Sequence, residues 1–173
     1  MINKKKKGFT LVELIGAMAI LAIAMTGISL TFNTSSIMWK KARVSLDLVS
    51  ANQSISQNIR AVGKEKVKGI YDNINAVNNS SGCYLFFNTY DEIKNIITAT
   101  DYSGYTVSTS ATPDFNECTN INIGKNKKYG ALIKIRDVTE TGSYYKLYEL
   151  TITVWSLQES ENSKSENTFY IGR

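Results

Sequence analysis

Few residues in this chain of 173 amino acids are of types and spacings that do chemistry, and histidine is absent altogether. Without histidine, the sequence excludes Ser-His-Asp and Cys-His catalytic triads as well as His-ligated zinc sites. Asp114, Asn116 and Glu117 offer oxygen ligands of the kind that calcium prefers. No EF-hand loop or supporting glycine accompanies them, which favours a polar turn. With no phosphate-binding loop or nucleophile elbow either, we expect no enzyme, no cofactor and no metal site.

The most unusual acidic residue is Glu13, which lies at the start of a long apolar stretch. Residues 14–39 contain no charged side chain, and about 20 helical residues cross the roughly 30 Å apolar core of a bilayer. A lone carboxylate in a membrane segment costs roughly 2.5 kcal/mol or more. Glu13 therefore indicates either a charged partner or a position close enough to the lipid headgroups to stay hydrated.

Positive charge is concentrated at the N-terminus, where Lys4 to Lys7 form one run. The positive-inside rule leaves this run in the cytoplasm and the rest of the chain outside. The net charge is +5, but beyond residue 8 only 16 basic residues face 15 acidic ones. This balance gives no overall basic bias toward a phosphate backbone, so we expect no nucleic-acid site.

Three interpretations of the N-terminus compete. A secretory signal peptide has a shorter apolar region followed by a small-residue cleavage site, and no clear site follows here. A plain single-pass anchor fits the length of the segment. Neither of these two interpretations accounts for Glu13. The third interpretation rests on a resemblance to a known family.

Residues 4–14, KKKKGFTLVEL, resemble the class III leader and N-terminal helix of type IV pilins and pseudopilins. The resemblance implies a leader at residues 1–8, which a prepilin peptidase removes by cutting between Gly8 and Phe9. It implies methylation of the new Phe9 amine, and pairing of Glu13 with the Phe9 ammonium of a neighbouring subunit. Residues 9–38 would form the transmembrane and assembly helix.

The same resemblance implies a structural role and a set of partners. The partners are other pilin subunits, the prepilin peptidase, the pilus assembly platform and the membrane. The prepilin would cross the cytoplasmic membrane once, with its C-terminal part outside, and assembly would make it part of an extracellular pilus. Adhesion, twitching motility or biofilm formation would follow. The helix-bending proline of many major pilins is replaced by residues 26–30, TGISL, which leaves Gly27 as a point of local loosening and favours a minor pilin.

Two alternatives remain open at this stage. One is a pseudopilin of a type II secretion or competence (DNA-uptake) machine, which shares the same N-terminal pattern. The other is a membrane-tethered binding module that never assembles. The sequence does not choose among them, and it also leaves open where in a filament the subunit lies.

The pattern after the apolar stretch predicts an α+β fold, in which a long N-terminal helix packs on a small antiparallel sheet. Apolar residues at helical spacing predict an amphipathic helix over residues 39–62, with Asn52 on its polar face and Gly63 ending it. Residues 63–173 would form the globular head. Predicted strands are Cys83–Phe87, 131–136, 148–154 and 168–171, with a short helix at Tyr90–Ile97 and exposed loops at 73–81 and 158–167.

Cys83 and Cys118 both follow the membrane segment, so topology places them outside the cytoplasm, where a disulfide persists. Closing a loop of about 36 residues is worth roughly 3–4 kcal/mol in the chain-entropy model. We therefore expect a bridge, with two unpaired thiols as the alternative.

Overall fold

The computed structural model describes residues 10–77, 81–159 and 163–172. The chain divides into two compact units, residues 1–42 (the N-terminal unit) and residues 43–173 (the C-terminal unit). One long helix precedes a sheet with short helices between its strands, which confirms the predicted α+β class. In chain order the elements are α1 Leu11–Asn75, β1 Cys83–Phe87, α2 Tyr90–Thr98, β2 Tyr105–Val107, α3 Phe115–Asn120, a 3-10 helix Asn122–Asn126, β3 Tyr129–Asp137, β4 Leu147–Ser156 and β5 Lys164–Gly172.

Helix α1 extends beyond the end predicted at Gly63. Gly63 does leave the helical conformation, with φ 78° and ψ −178°, but helical turns resume and continue to Asn75. They resume because Val67, Ile70 and Ile74 are buried, so ending the helix at Gly63 would leave three apolar side chains in water. The loop expected at 73–81 is correspondingly shorter, and its residues 78–80 lie outside the described part of the chain.

The buried stripe of α1 within the C-terminal unit matches the predicted helical spacing. Leu48, Ala51, Ile55 and Ile59 are all buried. Asn52 differs from the prediction, because it is only 2% exposed rather than on the polar face. Its amide nitrogen donates to the backbone oxygens of Ile152 and Ser165 at 3.1 and 3.0 Å, so β4 and β5 supply the partners that allow its burial.

The described residues form a five-stranded sheet in the order β2-β1-β3-β4-β5, with every neighbouring pair antiparallel. The predicted strands 131–136 and 148–154 are confirmed and form a hairpin, since β3 pairs with β4 from Tyr129 opposite Ser156 to Asp137 opposite Tyr148. Strand β5 begins at Lys164, inside the segment that was expected to be a loop. Its burial pattern is mostly exposed, so the apolar alternation that indicates a strand is missing there.

Apolar side chains cover both faces of the sheet, and the two cysteines belong to different layers. Cys83 belongs to the large core with α1, whereas Cys118 lies with Tyr84 and Trp155 in a smaller cluster. Successive residues of a strand point to opposite faces, so Cys83 and Tyr84 belong to different layers. Both thiols are free and buried, and the predicted bridge is not formed in the structure.

Candidate functional site

The N-terminal end of α1 holds Glu13 in a reciprocal pair of hydrogen bonds with Thr10. The Thr10 backbone N–H and hydroxyl donate to Glu13 Oε2 at 2.9 and 3.0 Å, and the Glu13 backbone N–H donates to Thr10 Oγ1 at 3.3 Å. This is a capping box, which satisfies the free N–H groups of a helix start. The Thr-x-x-Glu spacing of residues 10–13 is the sequence signal of this cap.

Gly8 and Phe9, the two residues of the predicted cleavage and methylation site, lie outside the described residues. Pairing between the Glu13 carboxylate and a Phe9 ammonium therefore stays a prediction. The carboxylate accepts two hydrogen bonds from Thr10 through one oxygen, Oε2. An ionised carboxylate has about four acceptor positions, so Glu13 retains capacity for a further cation.

The first turns of α1 expose a continuous apolar surface within the N-terminal unit. The large exposed side chains there are Leu11, Val12, Leu14, Ile15, Met18, Ile20, Leu21, Ile23, Met25, Ile28, Leu30, Phe32, Ile37, Met38 and Trp39. Monomeric soluble proteins rarely present a contiguous apolar surface of this size to water. By length and composition, α1 is long and apolar enough to cross a membrane.

Hydroxyl groups within this surface are satisfied by the helix itself. Thr26 Oγ1 donates to the Ile23 carbonyl at 2.7 Å, and the hydroxyls of Thr31 and Thr34 donate to carbonyls four residues earlier, each at 2.9 Å. Such bonds remove the need for water around a polar side chain. These three side chains therefore enter an apolar environment without an unpaired donor.

Several small residues along this helix would allow another helix to approach its backbone closely. They are Gly16, Ala17, Ala19, Ala22, Ala24 and Gly27. A side chain added at Gly16 or Gly27 would meet no atom within 4 Å. The loosening expected around Gly27 is absent, because Gly63 is the one residue of Leu11–Asn75 with non-helical backbone angles. The helix is regular here since backbone hydrogen bonding is uninterrupted by proline.

The acidic residues near Pro113 fasten a turn. Asp114 caps α3, with its Oδ1 accepting from the Glu117 backbone N–H at 2.8 Å. The Glu117 carboxylate accepts from the hydroxyls of Ser108 and Tyr84 at 2.7 and 2.9 Å and from the Thr109 N–H at 3.0 Å. Burial alone would raise the pKa of Glu117, but these hydrogen bonds outweigh it and lower that pKa. Across the described residues, no three His, Cys, Asp or Glu side chains cluster as metal ligands do.

The cysteine thiols are too poorly ionised to act as nucleophiles. Burial raises the pKa of Cys83 to about 12, and burial followed by the nearby Glu117 charge raises that of Cys118 to about 12. The thiolate is the reactive form of cysteine. Both side chains consequently contribute packing within the C-terminal unit.

Comparison with known proteins adds one match. Residues 3–29 fit the family model described as the prokaryotic N-terminal methylation motif, and this range contains Gly8, Phe9 and Glu13. None of the curated proteins and none of the solved structures that were compared with the chain matches it. The methylation motif, which overlaps the start of the exposed apolar helix, supports a relation of this chain to the type IV pilin and pseudopilin family.

Proposed function

We propose that the chain is a minor type IV pilin, made as a membrane-inserted prepilin and cut by a prepilin peptidase after Gly8. The new N-terminal Phe9 is methylated, and the subunit joins a surface filament through its N-terminal helix. The observation that carries this proposal is the exposed apolar surface of α1, which begins at Leu11, within the methylation motif. The filament supports adhesion, motility or biofilm formation.

The proposed assembly moves the apolar helix from lipid to a bundle formed with the N-terminal helices of other pilin subunits. Its apolar side chains stay out of water in both places, so the transfer depends on contacts that only neighbouring subunits provide. Glu13 is such a contact, because a buried carboxylate is costly alone and far less costly when it is paired with a cation. The Thr10 bonds satisfy part of the carboxylate beforehand, and the Phe9 ammonium of the next subunit supplies the charge.

The first experiment measures the intact mass of the protein expressed with and without a prepilin peptidase. We expect the peptidase to remove residues 1–8 and the product to carry one added methyl group. Gly8→Val serves as the control, since a bulky side chain before the cut hinders the close approach that a protease needs. A chain that keeps residues 1–8, or that is cut after the apolar stretch, would overturn the proposal.

A second experiment separates assembly from simple anchoring. In sheared surface filaments we expect Glu13→Ala to be absent although the membrane fraction contains normal amounts of it. Thr10→Ala keeps the carboxylate and loses only the cap, which costs about 1 kcal/mol of helix stability, so it should still be incorporated. Equal incorporation of Glu13→Ala and wild type would favour a membrane-tethered module that never assembles.

The methylation motif is equally compatible with a pseudopilin of a secretion or DNA-uptake machine. That candidate predicts short periplasm-spanning or wall-spanning assemblies rather than long surface fibres. Immunogold labelling of whole cells distinguishes the two, because only a surface pilus presents the C-terminal unit on fibres that extend outside the cell.

A further inference from the structure

A cleft lined by lysines lies at the turn before β3. Lys125, Lys127 and Lys128 line it together with Asn88 and Gln158. We call these three lysines the lysine cleft. Lys125 and Lys128 are exposed, and the side chain of Lys128 is 47% accessible. The cleft therefore offers ammonium groups to a ligand from solvent.

Two carboxylates face the lysine cleft and neutralise part of its charge. Lys127 Nζ lies 2.8 Å from Glu92 Oε2, while Lys128 Nζ lies 3.9 Å from Asp47 Oδ2. Arg43 adds a further positive charge, since it is close enough to Lys128 to repel its ammonium group. Four basic side chains thus face two acidic ones, and the excess is positive.

The position of Arg43 in the sequence places this charge near the end of the apolar stretch. Arg43 follows Trp39 by four residues, which span at most about 14 Å even when fully extended. Trp39 is 77% exposed, and tryptophan concentrates at the level of the lipid headgroups. An exposed apolar side chain, Ile123, lies in the 3-10 helix next to the cleft and is of the type that enters this layer.

We propose that the lysine cleft and Arg43 bind the phosphate groups of anionic lipids at the membrane surface before the subunit enters a filament. The inference rests on the proposed membrane anchoring of α1. A negatively charged lipid surface attracts nearby lysine and arginine side chains over a Debye length. Binding holds the C-terminal unit against the membrane, and extraction into a filament breaks these contacts.

The test uses the full-length protein in lipid nanodiscs of phosphatidylcholine, with or without one third phosphatidylglycerol. Lysines are labelled briefly with an amine-reactive acetyl ester and quantified by peptide mass spectrometry. We expect Lys125 and Lys128 to react roughly threefold more slowly in the anionic discs, with the effect lost near 1 M salt, where the Debye length is about 3 Å. The exposed Lys68 and Lys134 serve as references within the same molecule.

Each further outcome decides the proposal. Equal labelling of Lys125 in both discs overturns it, whereas a chain that enters neither disc refutes the anchoring on which it rests. Protection by inorganic phosphate in phosphatidylcholine discs, at the level seen with phosphatidylglycerol, would identify a general anion site and also overturn it.

A pair of charge-reversal variants provides an independent check through Lys127. In Lys125→Glu/Lys128→Glu, labelling of Lys127 should no longer depend on phosphatidylglycerol. In the matched control Lys68→Glu/Lys134→Glu, it should respond as in the wild type. The same response in both variants would show that the lysine cleft makes no lipid contact.

Discussion

At the scale of single residues, Glu117 shows how a residue with the chemistry of a metal ligand can instead hold a turn in place through hydrogen bonds. The spacing of Glu117 from Asp114 resembles part of a calcium site. In the structure, however, the Glu117 carboxylate oxygens accept hydrogen bonds from Ser108, Thr109 and Tyr84. Tyr84 is fully buried, so the carboxylate satisfies a hydroxyl that has no access to water. The turn between β2 and α3 is thereby tied to the sheet.

The lowered pKa of Glu117 predicts a pH-dependent contribution to stability. A depressed pKa in the folded state stabilises the fold above the unfolded value of about 4.3 and loses that effect as the pH falls through the folded value. Glu117→Gln should therefore cost about 1–2 kcal/mol at pH 7, and this cost should shrink as the pH falls through the lowered pKa of Glu117. Denaturant unfolding of the detergent-solubilised chain over a series of pH values from neutral to acidic measures this. A cost that is independent of pH would contradict it.

The two thiols should be protected and unpaired in the native protein. With the pKa of each thiol raised to about 12 by burial, alkylation by iodoacetamide at pH 8 should be slow until denaturant exposes them. Mass spectrometry without reductant should then show two alkylated cysteines, Cys83 and Cys118. A native chain that resists alkylation even in denaturant, with a mass lower by two hydrogens, would mean that a bridge forms.

At the scale of elements, α1 combines two helical stretches around one irregular residue. Gly63 has φ 78° and ψ −178°, a backbone region that is essentially restricted to glycine. The turns before and after it both bury apolar residues in the same core, for example Ile59 and Val67. The helical stretches on both sides of Gly63 therefore contribute apolar side chains to one core, although the helical conformation is interrupted between them.

Substitution of Gly63 should reveal the strain that glycine avoids. Gly63→Ala should destabilise the C-terminal unit by about 1–3 kcal/mol, although an added Cβ would meet no atom within 4 Å. Glu65→Ala, an exposed change two residues later, should stay within about 0.5 kcal/mol of wild type. Thermal unfolding followed by circular dichroism compares them, and equal stabilities would show that residue 63 adopts ordinary helical angles.

At the scale of the whole molecule, the contact between α1 and the far strands of the sheet depends on a buried amide. Asn52 bonds to backbone oxygens on β4 and β5, and Asn167 Nδ2 on β5 donates to Ser56 Oγ at 3.3 Å. Strand β5 contributes Phe169 to the core, but its residues Lys164 to Thr168 are all polar, so polar contacts hold this part of the strand. The hydrogen bonds of Asn52 and Ser56 therefore connect α1 to the strands β4 and β5.

Loss of the Asn52 amide should weaken the C-terminal unit as a whole. Asn52→Ala removes the donor for one buried and one partly buried carbonyl and should cost about 1–3 kcal/mol. Gln53→Ala, on the exposed side of the same turn, is the matched control and should change little. Hydrogen exchange should also be faster in β5 of Asn52→Ala than in wild type. Unchanged exchange there would mean that β5 is held by β4 alone.

Features that depend on local spacing could be predicted from the order of residues alone. The apolar stretch after Lys4–Lys7, the Gly8-Phe9 junction and Glu13 have meaning through their order along the chain, and the family match falls on the same residues. The helical stripe of Leu48 to Ile59, the cap at Thr89 before α2 and the β3–β4 hairpin are also local, because neighbouring residues decide them.

Features that depend on partners distant in sequence became visible in the folded chain, where those partners are in contact. Asn52 is polar and yet buried, because it donates hydrogen bonds to backbone carbonyls on β4 and β5. These carbonyls lie about a hundred residues away in sequence, so a local pattern does not reveal them. Cys83 and Cys118 were expected to form a disulfide bridge, but in the structure they lie in the apolar layers on opposite faces of the sheet. The first part of β5, Lys164 to Thr168, carries no apolar side chain because it lies at the edge of the sheet, where pairing with β4 supplies the order that local sequence does not.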